Sequence, residues 1–392
     1  MSENIPSPLK ARHRFPRNLN VKDNFACLFD FFFLEGHKEL HDYSDKKHSY
    51  EVKKTALKDR KHTYGQHETF VASDKEGEAL NKRKEPCIKN PGHPKYFPVE
   101  TFSKEHLPKR YRDPDLYDLV KSIADLTVRV EVKVTSPKRP KFWPGTDVAY
   151  PFSESTGDQS LRMGSGQMSV FKLIDGCGYD ALGVQYNALG AKYERRYKTC
   201  PCKKCLVSEN PSRVWWEIIV LTAAHVVYDE TEASATSCRL FYDKEDSPLV
   251  RLETMSIEYV NIDRDFCGLK YATCDATLGN RLYALMEHRF EIGKRIWQKY
   301  KGRSLGKFIF IVSHPHGCTK QQVSFGKWVK NSKINHYNSD YNYTKLTYNT
   351  CTCPGSSGAV VHCVGFFGAN HVHSGVYKDR INYSSVGYCR KQ

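Results

Sequence analysis

Cys351-Thr352-Cys353-Pro354-Gly355-Ser356-Ser357-Gly358-Ala359-Val360-Val361 sets a serine between two glycines and runs at once into an apolar strand. A hydroxyl is a weak nucleophile near neutral pH. A reactive serine therefore needs a tight turn that presents its Oγ, and backbone N–H groups aimed at the oxyanion that forms. Gly355 frees the backbone to bring its own N–H beside that of Ser357, and Gly358 lets the chain pass closely with no Cβ in the way. Taken alone, the same residues also describe an ordinary hairpin turn, because Ser and Gly are common turn formers.

Upstream, the β-branched and aromatic run Val214-Trp215-Trp216-Glu217-Ile218-Ile219-Val220 reads as a strand, and Leu221-Thr222-Ala223-Ala224-His225-Val226-Val227 follows it. Between this histidine and the serine, Ile262-Asp263-Arg264-Asp265 leads into the apolar Phe266-Cys267-Gly268-Leu269. The order His, Asp, Ser is that of chymotrypsin and differs from the orders of subtilisin and the α/β-hydrolases. The chain thus resembles a chymotrypsin-fold serine protease. That resemblance implies His225 as general base, Asp265 as its orienting partner, Ser357 as nucleophile, and the N–H groups of Gly355 and Ser357 as oxyanion hole. Asp263 is the rival orienter; Asp265 is preferred because it runs directly into the apolar strand.

Two further stretches narrow the resemblance. Phe308-Ile309-Phe310-Ile311-Val312-Ser313-His314-Pro315-His316-Gly317 is similar to the strand and (His/Asn)-Pro-x-Gly turn of HtrA-like and other non-secreted trypsin-like peptidases. Met163-Gly164-Ser165-Gly166 resembles the Gly-Ser-Gly that opens their first barrel. The implied fold is mostly β: two six-stranded antiparallel β-barrels with the site in the cleft between them, and an α-containing N-terminal extension. The implied activity is that of an intracellular serine endopeptidase. With about 35 residues after Ser357, no PDZ module is expected. Ser356 stands where zymogen-type trypsins resemble one another in carrying Asp, and no Ile-Val-Gly-Gly follows a basic residue, so trypsin-type activation is not expected.

The pocket is read the same way. Trypsin-like pockets take Arg or Lys through an Asp six residues before the serine, and here that position is Cys351. Thr352, with His373, Ser374 and Gly375 beyond the nucleophile, resembles the pocket of Glu- and Gln-cleaving relatives, the viral 3C-like proteases included. Two preferences stay open, Glu or Gln held by Thr352 and His373, and a small or apolar side chain.

At 392 residues, 40% hydrophobic and 12% aromatic, the chain is long enough for two or three compact units and has a globular composition. The strongest early apolar run, Phe25 to Leu34, is too short for a membrane span, and the N-terminus lacks a secretory pattern. A cytoplasmic or nuclear protein whose fourteen cysteines are reduced is therefore expected, with Val226 where secreted relatives carry a bridged Cys. The net charge of +16 implies attraction to acidic partners, protein or nucleic acid. Lys82-Arg83-Lys84 and Pro137-Lys138-Arg139-Pro140-Lys141 are read as solvated surface, with nuclear import or nucleic-acid binding as the rival. An inactive protease-fold module that binds acidic partners, and a DNA-associated protease, are the competing functions.

Along the chain, residues 1–107 read as a partly ordered, basic, His-rich extension in which His62, His67, Cys87 and His93 form no metal motif. Residues 108–160 carry a helix capped by Asp113, an alternating strand Val128–Val134 and a Pro-rich connection. The first barrel is expected over 161–275, an interbarrel helix over 276–300 with Arg289, Lys294 and Arg295 on its wet side, and the second barrel over 301–392. No cofactor is expected. Cys200, Cys202 and Cys205, with Cys177 or Cys238, offer a zinc reading against free thiols or a local disulfide.

Overall fold

The computed structural model describes residues 64–72, 87–155, 157, 160–179, 197–244, 246–301, 307–317, 321–337, 340–366, 368–377 and 379–391. The readings at Phe25–Leu34, His62 and Lys82-Arg83-Lys84 lie outside the described residues. Three short strands come first: β1 (Gln66–His67), β2 (Phe70–Val71) and β3 (Tyr96–Pro98). Helix α1 (Pro114–Asp125) begins as its sequence predicts, with Pro at the first position and the Asp113 carboxylate accepting the Asp115 N–H at 3.0 Å. Then come β4 (Thr127–Val132), β5 (Arg162–Ile174), β6 (Cys177–Tyr179), β7 (Val214–Thr222), β8 (Thr236–Leu240), β9 (Val250–Glu253), β10 (Ser256–Asn261) and β11 (Phe266–Thr273). Helix α2 (Ala276–Tyr300) separates these from β12 (Phe308–Ser313), β13 (Gln322–His336), β14 (Tyr341–Tyr348), β15 (Val361–Cys363), β16 (Gly368–Ala369), β17 (His373–Val376) and β18 (Asn382–Arg390).

The strands form two antiparallel sheets, in the order β10-β11-β7-β5-β4-β8-β9 and β1-β17-β18-β14-β13-β12-β15. A bridge between Val360 and Val372 closes the second upon itself. This is the mostly β, two-barrel architecture the sequence implies. Each sheet carries nine described strands, more than the six expected; β1 and β3 join the second sheet and β2 the first. All three belong to the segment read as an extension.

Strand β7 lies between β5 and β11, and eight of its nine residues are buried. Trp216, Ile218 and Val220 face the first core, while Trp215 packs with Leu173, Cys200 and Cys205 on the opposite side. Burying a side chain of this size contributes about 1.5–3 kcal/mol, so the register that aims the end of β7 is firmly held. Val360 and Val372, from the second sheet, belong to that same core. The two halves therefore share apolar packing at the seam where the candidate site lies.

Four expectations change. Strand β4 pairs with both β5 and β8, so the first sheet begins well before residue 161. Its alternation does not mark one wet face, since Arg129 and Glu131 are also buried, joined by a side-chain ion pair. Arg139 is no solvated charge: its guanidinium bonds the Glu232 carboxylate at 2.6 Å and the His225 carbonyl at 3.1 Å. In α2, Leu282, Met286 and Phe290 face inward as expected, and Arg289 is buried as well. Lys294 and Arg295 stay on the wetter side and pair with Glu291 and Asp115.

Candidate active site

The chain leaves β7 through Thr222-Ala223-Ala224, whose small buried residues let it turn into the second core layer and set His225 at the seam. Asp265 ends a tight turn, with its N–H on the Ile262 carbonyl at 3.1 Å and a left-handed φ of 55°. Such a conformation is strained for a residue with a Cβ, though least so for Asp and Asn. It turns the carboxylate back onto the histidine. His225 Nδ1 lies 2.9 and 2.8 Å from the two Asp265 oxygens, and the His225 backbone N–H donates to Oδ1 at 3.0 Å. On the other side of the ring, Nε2 is 2.8 Å from Ser357 Oγ. Burial alone would push the Asp265 carboxyl up; the charge and hydrogen bonds of His225, with the Ser374 hydroxyl at 2.6 Å, outweigh it and hold it below the usual range. Asp263, the rival, is exposed, and both His225 nitrogens are engaged elsewhere.

The nucleophile turn is braced by the two motifs recognised around it. Ser165 donates its hydroxyl to the Gly355 carbonyl at 2.8 Å, accepts the His314 N–H at 2.9 Å, and gives its own N–H to the Ser357 carbonyl at 2.8 Å. Gly355 has φ 101°, and a Cβ there would stand 2.4 Å from the His314 carbonyl oxygen, so only glycine fits against the 314–317 turn. Ser356 points away from the seam to the Ser313 hydroxyl at 3.2 Å, and the turn stands formed with no charged residue at that position.

The space in front of these groups is filled by the chain itself. Strand β1 pairs with β17, Gln66 opposite Val376 and His67 opposite Gly375. A Cβ on Gly375 would lie 2.2 Å from the Gln66 carbonyl oxygen, which is why a bare backbone is needed there. Next, the Glu68 carbonyl oxygen receives both the Gly355 N–H, at 2.6 Å, and the Ser357 N–H, at 3.2 Å. The Glu68 N–H in turn donates to Ser357 Oγ at 3.1 Å.

The Glu68 side chain enters a buried polar pocket. His373 Nε2 meets one carboxylate oxygen at 2.6 Å and Lys89 Nζ meets the other at 2.6 Å. Lys89 also donates to Thr352 Oγ1 at 2.9 Å and Asn382 Oδ1 at 3.1 Å, and the Tyr348 hydroxyl lies 2.6 Å from His373 Nδ1. Burial would raise the Glu68 carboxyl, but the hydrogen bond from His373, with the Lys89 ammonium, outweighs it and holds it at about 2. His373 is itself lowered, by burial working against the pull of Glu68. The two directions are reconciled by a neutral ring that accepts from Tyr348 at Nδ1 and donates from Nε2, with Lys89 supplying the positive charge.

The structure brings His225, Asp265, Ser357 and Gly355 together, and His373 lines the pocket. Thr352 lies behind Lys89, Ser374 turns to Asp265, and Gly375 touches the β1 backbone, so the four expected pocket residues occupy three different places. Lys89, Tyr348 and Asn382 went unread. Lys89 comes from a segment with no recognisable motif, while Tyr348 and Asn382 sit in strands whose pattern says only that they are strands.

No disulfide joins the described cysteines. Cys200, Cys202 and Cys205 gather with Cys274, and with neither of the partners weighed for them; Cys238 is packed in the first core. Cys87 and His93 also enter a constellation, with His316 and Cys353, which the sequence reading did not foresee.

Residues 206–364, a span that holds His225, Asp265 and Ser357, match the trypsin-like peptidase domain family. This part of the chain is thus similar to trypsin-like peptidase domains, and the two antiparallel sheets are those of a chymotrypsin-like fold. No curated protein sequence matches the chain. Among solved structures it is similar to an HtrA-type protease, AlgW, described with a decapeptide: 15% identity over 70% of this chain and 63% of that one, TM-score 0.31. It is also similar to the Rv3671c protease in an inactive form, at 11% identity over 70% of this chain and 90% of that one, TM-score 0.31. The chain thus covers less than two thirds of the length of the AlgW chain.

Proposed function

We propose that the trypsin-like peptidase domain matched by residues 206–364 makes this chain a serine endopeptidase that cuts after glutamate. The carrying observation is one carbonyl, that of Glu68, accepting from Gly355 and Ser357 while Ser357 Oγ stands 2.8 Å from His225 Nε2. In this reading Ser357 Oγ attacks the peptide carbonyl as His225 takes its proton. Asp265 keeps the ring in the tautomer with Nδ1–H and stabilises the imidazolium. The two N–H groups receive the negative charge that exists only after attack, which is where hydrogen bonds lower the barrier.

Glutamate is favoured over a small or apolar side chain because the pocket presents Lys89 and a His373 N–H to one carboxylate. An apolar side chain would leave the buried His373 N–H unpaired and the Lys89 ammonium without its counter-charge. A fluorophosphonate probe tests the nucleophile: labelling of wild type and none of Ser357→Ala is the expected result. Folded wild type that takes no label favours instead a module that binds without catalysis. No described helix is long and apolar enough to cross a membrane.

A further inference from the structure

The segment in the cleft belongs to the same chain, and it spans the reactive centre instead of stopping at it. Upstream of Glu68, β1 pairs with β17; downstream, β2 pairs with β5, Phe70 opposite Met163 and Val71 opposite Arg162, and the Ala72 N–H reaches the Leu161 carbonyl at 2.9 Å. Backbone on both sides of the Glu68 carbonyl is thus fixed, one side by each sheet, with that carbonyl beside Ser357. This is the arrangement of a peptide about to be cut.

Resting on the reading that Ser357 is the nucleophile, we propose that the chain cleaves its own Glu68–Thr69 bond, separating residues 1–68 from 69–392. Ser357 Oγ bonds to the Glu68 carbonyl carbon and its proton passes to His225 Nε2. The bond from that carbon to the Thr69 nitrogen breaks, and His225 returns the proton to that nitrogen, which leaves as an amine. Water, deprotonated by His225, then releases Glu68 as a carboxylate and restores the Ser357 hydroxyl.

The neighbours of Glu68 set the pattern the cleft reads. Tyr64 stacks on Trp143 at 4.3 Å, Gly65 has no room for a side chain because a Cβ would lie 2.1 Å from the Val376 carbonyl oxygen, and the His67 ring lies 5.8 Å from that of His225. Other substrates should therefore carry an aromatic residue, Gly, any residue, His and Glu before the cut. With the segment in place, Ser357 and His225 are fully buried, so action on a second molecule requires the segment to leave.

The test uses full-length wild type, Ser357→Ala and Glu68→Ala, followed by intact mass and N-terminal sequencing. Wild type should yield a fragment beginning at Thr69, Ser357→Ala should stay whole, and Glu68→Ala should be cut there at least about 100-fold more slowly. A wild-type chain that stays whole, or is cut elsewhere only, overturns the proposal. A fluorogenic peptide with the sequence of residues 64–68, given to full-length Glu68→Ala, whose segment has lost its hold on His373 and Lys89, separates the two failures: cutting of the peptide leaves the peptidase reading standing, and no cutting removes both.

A second inference rests on the sulfur clusters. In the first, the Sγ atoms of Cys200, Cys202, Cys205 and Cys274 all lie within 4.8 Å, with Cys202 and Cys274 at 3.7 Å. In the other, Cys87 Sγ to Cys353 Sγ is 3.5 Å, His93 Nε2 to His316 Nε2 is 3.1 Å, and Cys353 Sγ to His93 Nε2 is 3.6 Å. These approximate the edges of a tetrahedron around an ion bound at about 2.3 Å to sulfur and about 2.0–2.1 Å to nitrogen. Asn90 donates from its backbone N–H to Cys87 Sγ at 3.3 Å and from its side chain to Cys353 Sγ at 3.1 Å, as groups behind metal thiolates do.

The geometry points to two structural zinc ions, one under β7 and one tying the 87–93 segment, and with it Lys89, to the nucleophile loop. Elemental analysis of the folded chain, purified without chelator, should find two zinc per chain. The Cys205→Ser/Cys274→Ser variant and the His93→Ala variant should each find one. A folded wild-type chain without zinc overturns both sites, and a variant that leaves the content unchanged overturns its own.

Discussion

Lys89 carries the charge of the pocket that holds Glu68 from a position that no motif marks, and its replacement is the sharpest residue-level test of the proposed specificity. Lys89→Met should cut preference for Glu over Gln by roughly 100-fold, because a buried carboxylate loses its ion pair while a carboxamide keeps the His373 donor. Competition between matched Glu and Gln peptides reads this. Asp265→Asn should lower kcat by about 10^4-fold with the fold unchanged, since Asn favours the wrong imidazole tautomer. Steady-state kinetics beside a thermal melt checks it. At this scale the sequence was legible where the proposed chemistry calls for particular residue types: His225, Asp265 and Ser357 lie within hydrogen-bond reach of one another. Lys89 was not legible, because any long cation arriving from any segment could serve the pocket, and only the folded chain says which one arrives.

Among elements, β17 and the connection around Arg139 carry the most consequence. Gly375→Val places a side chain where the Gln66 backbone lies, within 2.2 Å at its Cβ. It should lower kcat/KM on peptides roughly 10- to 100-fold by removing the β1-type backbone bonds, and peptide kinetics beside a circular dichroism spectrum check it. Arg139→Met leaves Glu232 short of its main partner beneath the His225 carbonyl, both side chains being fully buried. A loss of about 3–5 kcal/mol in urea unfolding is expected. The periodic elements, β7, α1 and α2, follow from their patterns, since burial on one face and the caps at Asp113 and Asp275 are local features. Strand β4 misled because its charged face is covered from within by the ion pair of Arg129 and Glu131. A sequence pattern cannot distinguish water from a buried partner.

At the scale of the whole molecule, the segment 64–72 is a strap that joins both sheets across the cleft, with Glu68 as its buckle. Glu68 ionises at about 2 in place against 4.5 ordinarily, so its contribution to docking is complete above pH 4.5 and is lost as pH falls through about 2. In Ser357→Ala, which keeps the segment whole, fluorescence of Trp143 stacked on Tyr64 should report release in that window, and the added change Glu68→Gln should abolish the pH-dependent step. None of this could be read from residues 1–107, which show neither a periodic pattern nor a motif, because docking there depends on a pocket made hundreds of residues away.

The most direct test of the central claim is cleavage-site mapping by mass spectrometry of a diverse peptide library with wild type and Ser357→Ala. Cuts after glutamate that vanish in the variant are the predicted result. Cuts after lysine or arginine, or a folded wild type that leaves the library whole, would contradict it.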